Sequence, residues 1–465
     1  MRVTRLMLAA GMGVLLAGCS DFSSPGHAAK FSDVQQVFKT DCAGCHDNNA
    51  GHLNLIPDFY TDMDSASLVA SGYINPENPD QSIVILKPRL AAPHGGGRIE
   101  SFASGDESVL RNWIARQPRD YSYVLRAEKI DQASAPVVDG KADEQAWSLA
   151  SPTTFPIGGG WADADRAVLR AAYDGEYIYL VMQWKDDKAS DRRQPWVKQS
   201  DGSWKTAPAK PLPYDGYTWG PTSDAEKSAN AYEDKVALMW NTYGANTVAG
   251  FDRSGCAVTC HDPENNFRPG KTYFYSNENR AAKKYTNTPG EIADIWHWKF
   301  VRMNQHYKLD DQYVQFWEPN TGSPKDGGRA SDEGSGGYAD NIATNGKPTY
   351  RSKGSITAPP FYILNNEKQL LTAQELAGLP VGAMIPNMIT AGPTGKRADV
   401  DARGNHDPLT GMWTLEIRRK MVTGDDKDVQ FDNLLREYVF GVAVFDNAQI
   451  EHSYSTTPIR LVFPR

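Results

Sequence analysis

The residues with the clearest chemistry in this chain are Cys42, Cys45 and His46, which have the spacing Cys-x-x-Cys-His. Two thiols at this spacing can add across the two vinyl groups on one edge of a porphyrin, and the histidine that follows is placed beneath the ring as an axial ligand. The alternatives are half of a zinc site or a redox-active dithiol. Because no second Cys/His pair lies nearby to complete a zinc site, the motif predicts covalently bound haem c.

A second motif, Cys256, Cys260 and His261, has one more residue between the thiols. The longer loop must bulge but can still reach both vinyl groups, so it predicts a second covalent haem c. The main alternative is a disulfide between Cys256 and Cys260, with His261 in a structural role. A zinc site is disfavoured because further ligands are lacking.

Helical patterns flank the first motif. Apolar residues recur at helical spacing over 31–40 and again over 106–116. A helix that leads into the motif and a closing helix resemble the small single-haem cytochrome c fold over about 90 residues. The resemblance implies a distal ligand from late in the intervening region, where His94 precedes three glycines. His52 and Met63 are the alternatives.

Beyond residue 122 the apolar period changes from helical to alternating. Residues 167–173 and 177–184 predict a hairpin, and further strands are predicted over 235–240, 312–317, 413–419, 438–445 and 459–463. Residues 320–357 are rich in Gly, Ser and Pro and predict a long loop. We therefore expect a small all-α domain over 31–122 followed by a large all-β sandwich with long insertions over 123–465.

Several segments of the second region resemble DOMON-like and family-9 carbohydrate-binding sandwiches. Residues 138–147 look like the opening strand of those folds and 173–186 look like their first hairpin. Residues 233–239 and 440–446 are more specific and resemble the haem-binding gamma subunit of the ethylbenzene dehydrogenase family. In that family a haem b is held by a methionine from a middle strand and a lysine near the C-terminus, without a covalent motif.

The resemblance implies ligand candidates for the second haem. Met239 lies at the position of the methionine strand, and His452 lies where the lysine of the family falls. With His261 as one ligand, only one of the two is needed, and His452 is preferred. The cluster over 296–299 contains His297 and Lys299, but its aromatic pattern favours packing. A non-covalent haem b in this domain remains the alternative to haem c.

The N-terminus predicts export. Residues 1–18 combine Arg2 and Arg5 with an apolar run, and 16–19 read Leu-Ala-Gly-Cys. This resembles the lipobox of bacterial lipoproteins, in which Cys19 is acylated and 19–30 form a tether. An ordinary secretory signal is the alternative. Ser20, rather than an aspartate, follows the cysteine, which implies the outer membrane, on its periplasmic or cell-surface side.

The charge balance limits the classes of partner that the protein can bind. With 49 Lys plus Arg against 57 Asp plus Glu and no basic tract, nucleic-acid binding is not expected. The sequence predicts an electron carrier rather than an enzyme, one that relays electrons between redox proteins acting as donor and acceptor. The alternatives are an accessory subunit of a molybdenum oxidoreductase and a carbohydrate-binding module tethered to a cytochrome.

Overall fold

A computed structural model describes most of the chain beyond residue 122 and parts of the region before it. The described residues are 29–43, 68, 74, 79–89, 99, 102, 105–117, 123–158, 162–209, 231–260, 285–286, 288–317, 328–342, 345–357, 359–449, 452–455 and 457–464. The predicted site residues Cys19, Cys45, His46, His94 and His261 lie outside them.

Helices are short throughout the described residues. The α-helices are α1 (Phe31–Val37), α2 (Ile83–Leu86), α3 (Asp106–Ile114), α4 (Gln145–Leu149), α5 (Phe251–Ser254), α6 (Ala257–Cys260) and α7 (Ala373–Gly378). A π-helical turn, Phe38–Cys42, continues α1, and 3₁₀ turns lie at Pro79–Gln81, Gln132–Ser134, Asn304–His306 and Gly395–Ala398. Among the residues that the model describes, no helix has both the length and the apolar character needed to cross a membrane.

Twenty-one strands follow in the second region as described. They are β1 (Tyr123–Lys129), β2 (Thr153–Gly158), β3 (Arg166–Tyr173), β4 (Tyr177–Lys185), β5 (Trp196–Lys198), β6 (Trp204–Thr206), β7 (Lys235–Asn241), β8 (Ile292–Lys299), β9 (Asp310–Gln315), β10 (Arg329–Ser331), β11 (Gly337–Asp340), β12 (Tyr350–Ser352), β13 (Ile363–Leu364), β14 (Lys368–Leu370), β15 (Met384–Ile385), β16 (Met388–Ala391), β17 (Val400–Asp407), β18 (Met412–Lys420), β19 (Tyr438–Phe445), β20 (Ser453–Ser455) and β21 (Ile459–Val462).

The long strands form two facing sheets. One has the order β10-β9-β8-β7-β19-β20 and the other β3-β4-β18-β17, and β1 and β2 pair with strands of both. Inward side chains of both sheets share one apolar core that contains Trp184, Trp240, Trp298 and Trp413. Alternating side chains and a shared core define a β-sandwich.

A separate group of buried side chains lies before residue 115. Val34 and Phe38 from the first helical segment pack with Leu110, Trp113 and Ile114 of α3, and Cys42 packs against the same group. The helices predicted over 31–40 and 106–116 are therefore both present, the first ending as the π-helical turn. Whether they carry a cytochrome remains a prediction.

Two predictions from the sequence are wrong. Residues 138–147 do not form an opening strand: 138–144 are non-regular and Gln145 begins α4, while β1 supplies the first strand. Residues 320–357 are not one long loop, because β10, β11 and β12 lie within them. β11 pairs with β16, which is distant in sequence, whereas β10 and β12 have three residues each and pair with the nearby strands β9 and β14. Strands this short show no local period.

Candidate functional site

The sheet β19-β7-β8-β9 has a second, outward face that is chemically unlike its inward face. On β7, Val236, Leu238 and Trp240 point into the core. Side chains alternate along a strand, so Lys235, Ala237, Met239 and Asn241 point outward. Strand register places Gly441 and Ile295 beside Met239, and Ala443 and His297 beside Ala237.

The segment that carries the second cysteine motif packs on this outward face. Asn241 anchors it from β7: its Nδ2 donates to Asp252 Oδ1 at 3.0 Å, and its Oδ1 accepts from the Val248 backbone N–H at 3.0 Å. Phe251, Cys256 and Val258 then bury themselves against Met239, Ile295 and other apolar residues of the face. Burial of that apolar strip stabilises the segment, and Gly255, at φ +56°, lets α5 turn into α6.

Cys256 and Met239 lie in direct contact with neighbours that fix their positions. A Cβ on Gly441 would lie 2.7 Å from the Cys256 sulfur, so the glycine is what allows Cys256 to seat on β19. The Thr259 hydroxyl, between the two thiol positions, lies 2.9 Å from both Met239 Sδ and the Cys256 carbonyl oxygen, so its single proton has two acceptors. The structure thus brings Met239 and the Cys256–Cys260 segment together; the Cys260 backbone ends α6.

His452 lies on the same face, at some distance from Met239. Its ring is 4.7 Å from that of Phe445 and 6.2 Å from that of Tyr454, and Tyr454 pairs with Ala443. Along β19, Ala443 lies two residues from Gly441 and two from Phe445, or about 6.6 Å from each. Small side chains, Ala443 and Ala237, therefore form a floor between Met239 and His452, and Cys256 covers Gly441 at the Met239 end of it.

His297 borders this floor as a buried, neutral imidazole. Burial, together with Lys299 and Lys235, holds the pKa of His297 well below its usual range. Its Nδ1 lies 3.1 Å from Gln312 Oε1, and its Nε2 has no hydrogen-bond partner among the described residues. Because Gln312 Oε1 can only accept, Nδ1 carries the proton of the neutral ring, and Nε2 is left with a lone pair that can accept a hydrogen bond or ligate a metal.

The end of the face near Phe445 is basic. Lys235 Nζ donates to the Gln449 carbonyl at 2.9 Å and lies 4.0 Å from the centre of the Phe445 ring. Burial, with Arg302 as the next cause, lowers the pKa of Lys235 well below its usual range. We define the basic end as four cations and two carboxylates: Lys235, Lys299, Arg302 and Arg397 with Glu233 and Asp310. The three ion-paired cations against two carboxylates leave a net charge of +1, and an anionic group on this part of the face would also favour the protonated form of Lys235.

The site contains residues that sequence reasoning missed. Met239, Cys256 and His452 were predicted and share one face, whereas Gly441, Ala237 and Lys235 were not singled out. Their roles follow from cross-strand register, which the sequence does not display. One signal was available: a glycine between apolar residues in β19 commonly marks a close approach of backbone and another group.

Comparisons with known proteins give two kinds of match. Among solved structures, a family-9 carbohydrate-binding module from Caldicellulosiruptor kristjanssonii in complex with glucose is similar at 9% identity and TM-score 0.27, covering 74% of this chain and 97% of its own. A putative carbohydrate-binding protein from Bacteroides uniformis is similar at 10% identity and TM-score 0.28, covering 74% and 99%. No curated protein sequence matches.

A family model described as ethylbenzene dehydrogenase matches residues 147–457. The matched range begins in α4, ends just before β21, and contains Met239, Cys256, His297 and His452 together with the strands that carry them. Because the match spans more than half of the 465 residues, this chain belongs to the ethylbenzene dehydrogenase family.

Proposed function

We propose that this protein is an exported, lipid-anchored electron carrier that holds two haems, one before residue 122 and one on the outward face of the sandwich. Each haem would supply a one-electron iron couple, and the chain would supply ligands, burial and spacing. The observation that carries the second haem is the arrangement of Met239, His452 and the Cys256–Cys260 segment around one floor of small side chains.

The chemistry of this face fits a haem in three respects. Ala443 and Ala237 are small and would let a flat ring approach the sheet beside Cys256, which itself lies on Gly441. A thioether and neutral imidazoles are suitable axial donors. The basic end, with three ion-paired cations against two carboxylates and Lys235 beside them, suits the two propionates of a haem.

The chain's own residues would divide the work. Cys256 and Cys260 would attach the haem, and His261 and His452 would ligate its iron, with Met239 as the alternative to His452. Thr259 contacts the Met239 sulfur and the Cys256 carbonyl, so it would fix the position of Met239 next to the attachment segment. Lys235 would position a propionate from the basic end. The first haem would be attached by Cys42 and Cys45, and His46 and His94 would ligate its iron.

The number and attachment of the haems test this proposal. The mature protein would be made in a host with c-type assembly machinery, and its intact mass measured before and after acid-acetone extraction. Two covalent haems are expected. One covalent and one extractable haem would instead indicate haem b in the sandwich, held by Met239 and His452. A single haem would overturn the two-haem proposal and favour the tethered carbohydrate-binding module.

Ligand variants identify the second haem's axial pair. His452→Gln is expected to change the low-spin absorbance of that haem, whereas Met239→Leu is expected to leave it unchanged. The reverse result would exchange their roles. The matched control for Met239→Leu is Met182→Leu, which replaces a buried core methionine on β4.

A separate variant tests whether the two sites are independent. His46→Ala should remove only the first haem's signal, and loss of both signals would contradict independent sites.

Family membership favours a second candidate function. A chain of the ethylbenzene dehydrogenase family could serve as an accessory electron-transfer subunit of a molybdenum oxidoreductase. Affinity purification of the tagged protein from its own membranes tests this role. A stoichiometric large catalytic chain containing molybdenum would support it, and recovery of the carrier alone would support the free carrier.

A further inference from the structure

A cluster of buried aspartates lies at the other side of the same sheet, away from the outward-face site. Asp294 of β8, Asp311 of β9 and Asp428 of the β18–β19 connection each place a carboxylate oxygen within 4.8 Å of the other two. Asp294 and Asp311 are completely buried and Asp428 is 4% exposed. Two oxygens on opposite sides of a Ca²⁺ ion, each about 2.4 Å from it, are about 4.8 Å apart.

The hydrogen bonds of the cluster leave specific oxygens without donors. Asp294 Oδ2 accepts from Trp296 Nε1 at 3.1 Å and from the Val429 backbone N–H at 3.0 Å. In contrast, Asp294 Oδ1 and both oxygens of Asp311 have no hydrogen-bond partner among the described residues. A completely buried carboxylate with two unpartnered oxygens is strongly disfavoured unless it is protonated or binds a cation.

The charges near the cluster do not balance. Asp332, 4% exposed, lies within 4.8 Å of Asp428 through a second group that also contains Asp425. Asp425 pairs with Lys396 at 3.0 Å. The remaining four carboxylates, Asp294, Asp311, Asp332 and Asp428, face one buried guanidinium, Arg419, whose Nη2 lies 2.8 Å from Asp428 Oδ2 and 3.9 Å from Asp294 Oδ2. Four negative charges and one positive charge leave a net charge of −3 if all are ionised.

Burial and the neighbouring carboxylates both raise the pKa of the carboxyl groups in this cluster. Burial, then Asp294 and Asp428, raises the pKa of Asp311 well above its usual range. Burial, then Asp428 and Asp425, raises the pKa of Asp332 to about 7. Arg419 compensates only part of the negative charge of the cluster, and a divalent cation would supply the remainder.

We propose that Asp294, Asp311 and Asp428 bind a Ca²⁺ ion that fastens the β8–β9 edge of the sheet to the β18–β19 connection. All three donors are carboxylates, which suit a hard cation. Calcium is favoured over magnesium because Mg²⁺ keeps several waters and these groups are buried. Asp311 would bind through both oxygens, Asp294 through Oδ1, and carbonyl oxygens or waters would complete six to eight ligands.

Calcium content and thermal unfolding of the full mature protein test the site. One tightly bound calcium per chain is expected by elemental analysis. Removal with EDTA should lower the Tm, and CaCl₂ at 100 times its Kd should restore it by about 5 °C. MgCl₂ at the same concentration should restore much less. Because haem absorbance is followed in parallel, loss of calcium and loss of haem are distinguishable.

Variants localise the ion. Asp311→Asn should reduce calcium to below 0.2 per chain and make the Tm insensitive to EDTA, whereas the exposed Asp143→Asn should behave as wild type. Calcium retained in Asp311→Asn would place the ion elsewhere and overturn the proposal. If wild type holds no calcium and Asp311→Asn raises the Tm, the cluster is a set of protonated carboxyls. Asp332→Asn offers a second test, since it should weaken calcium binding without abolishing it.

Discussion

The two faces of β7 and its neighbours teach which residues make the fold and which make the site. The inward face is continuous and aromatic: Trp240 stacks on Phe440 with ring centres 4.1 Å apart, and Trp296 lies 4.9 Å from Trp240. The outward face, one residue away along each strand, alternates small side chains with Met239, His297 and Lys235. Both faces are largely buried, so burial alone does not distinguish them.

Their difference is one of chemistry and replaceability. An inward indole fills a volume of the core that neighbouring side chains cannot move to fill, so its loss leaves a cavity. An outward thioether or imidazole offers a donor atom, and a side chain of similar volume can replace it with little loss of stability. Substitutions at adjacent positions should therefore separate stability from function.

The largest effect on the free energy of unfolding is expected from Trp240→Ala on the inward face. Met239→Leu on the outward face is the comparison. The first should lower the free energy of unfolding by about 3–5 kcal/mol, because it opens a cavity among Trp296, Phe431 and Phe440. The second should cost less than about 1.5 kcal/mol. Urea unfolding followed by tryptophan fluorescence measures both. Equal losses of the free energy of unfolding in the two variants would contradict the proposed difference between the inward and outward faces.

A smaller effect on stability is expected from Gly441→Ala. This variant tests the contact between β19 and Cys256 on the outward face. The new methyl group would lie 2.7 Å from the Cys256 sulfur and 3.1 Å from its backbone nitrogen, so the 248–260 segment must shift. We expect a loss of about 1–3 kcal/mol and less covalent haem per chain by intact mass. Gly378→Ala, with no atom within 4 Å of the new methyl, is the control. If both variants match wild type, Cys256 does not seat on Gly441.

The sequence predicted strands best where β-branched and aromatic residues form an uninterrupted apolar run. The hairpin of β3 and β4 and the strand 438–445 were predicted within one residue, and β4 and β19 are buried at most positions. β8 was not predicted, because Asp294, His297 and Lys299 interrupt the apolar pattern of a strand that is nearly all buried. Its Trp296–Lys299 stretch was interpreted as aromatic packing, which Trp296 and Trp298 confirm.

The site was predictable as a set of residue types but not as an arrangement. The spacing of Cys256 and Cys260 and a family resemblance pointed to the segment and to Met239. The contact of Thr259 with Met239 and the floor of small side chains depend on register between β7 and β19. The aspartate cluster is more remote still, because Asp294, Asp311 and Asp428 span more than 130 positions and carry no local motif.

The smallest effect is expected from the pH dependence of His297. Its lowered pKa in the folded state means that, below about pH 6.5, the unfolded chain binds a proton that the folded chain does not. Stability contributed by the neutral imidazole is therefore present above that pH and is lost as the pH falls, by up to about 1.4 kcal/mol per pH unit. Buried aspartates with raised pKa values, such as Asp311, act with the opposite sign, so the wild-type slope alone is not diagnostic.

The measurement is the difference between wild type and His297→Gln in urea unfolding from pH 7.5 to 5.5. The variant should lose less stability than wild type over this range, and parallel profiles would mean that His297 is protonated in the folded protein or accessible to water.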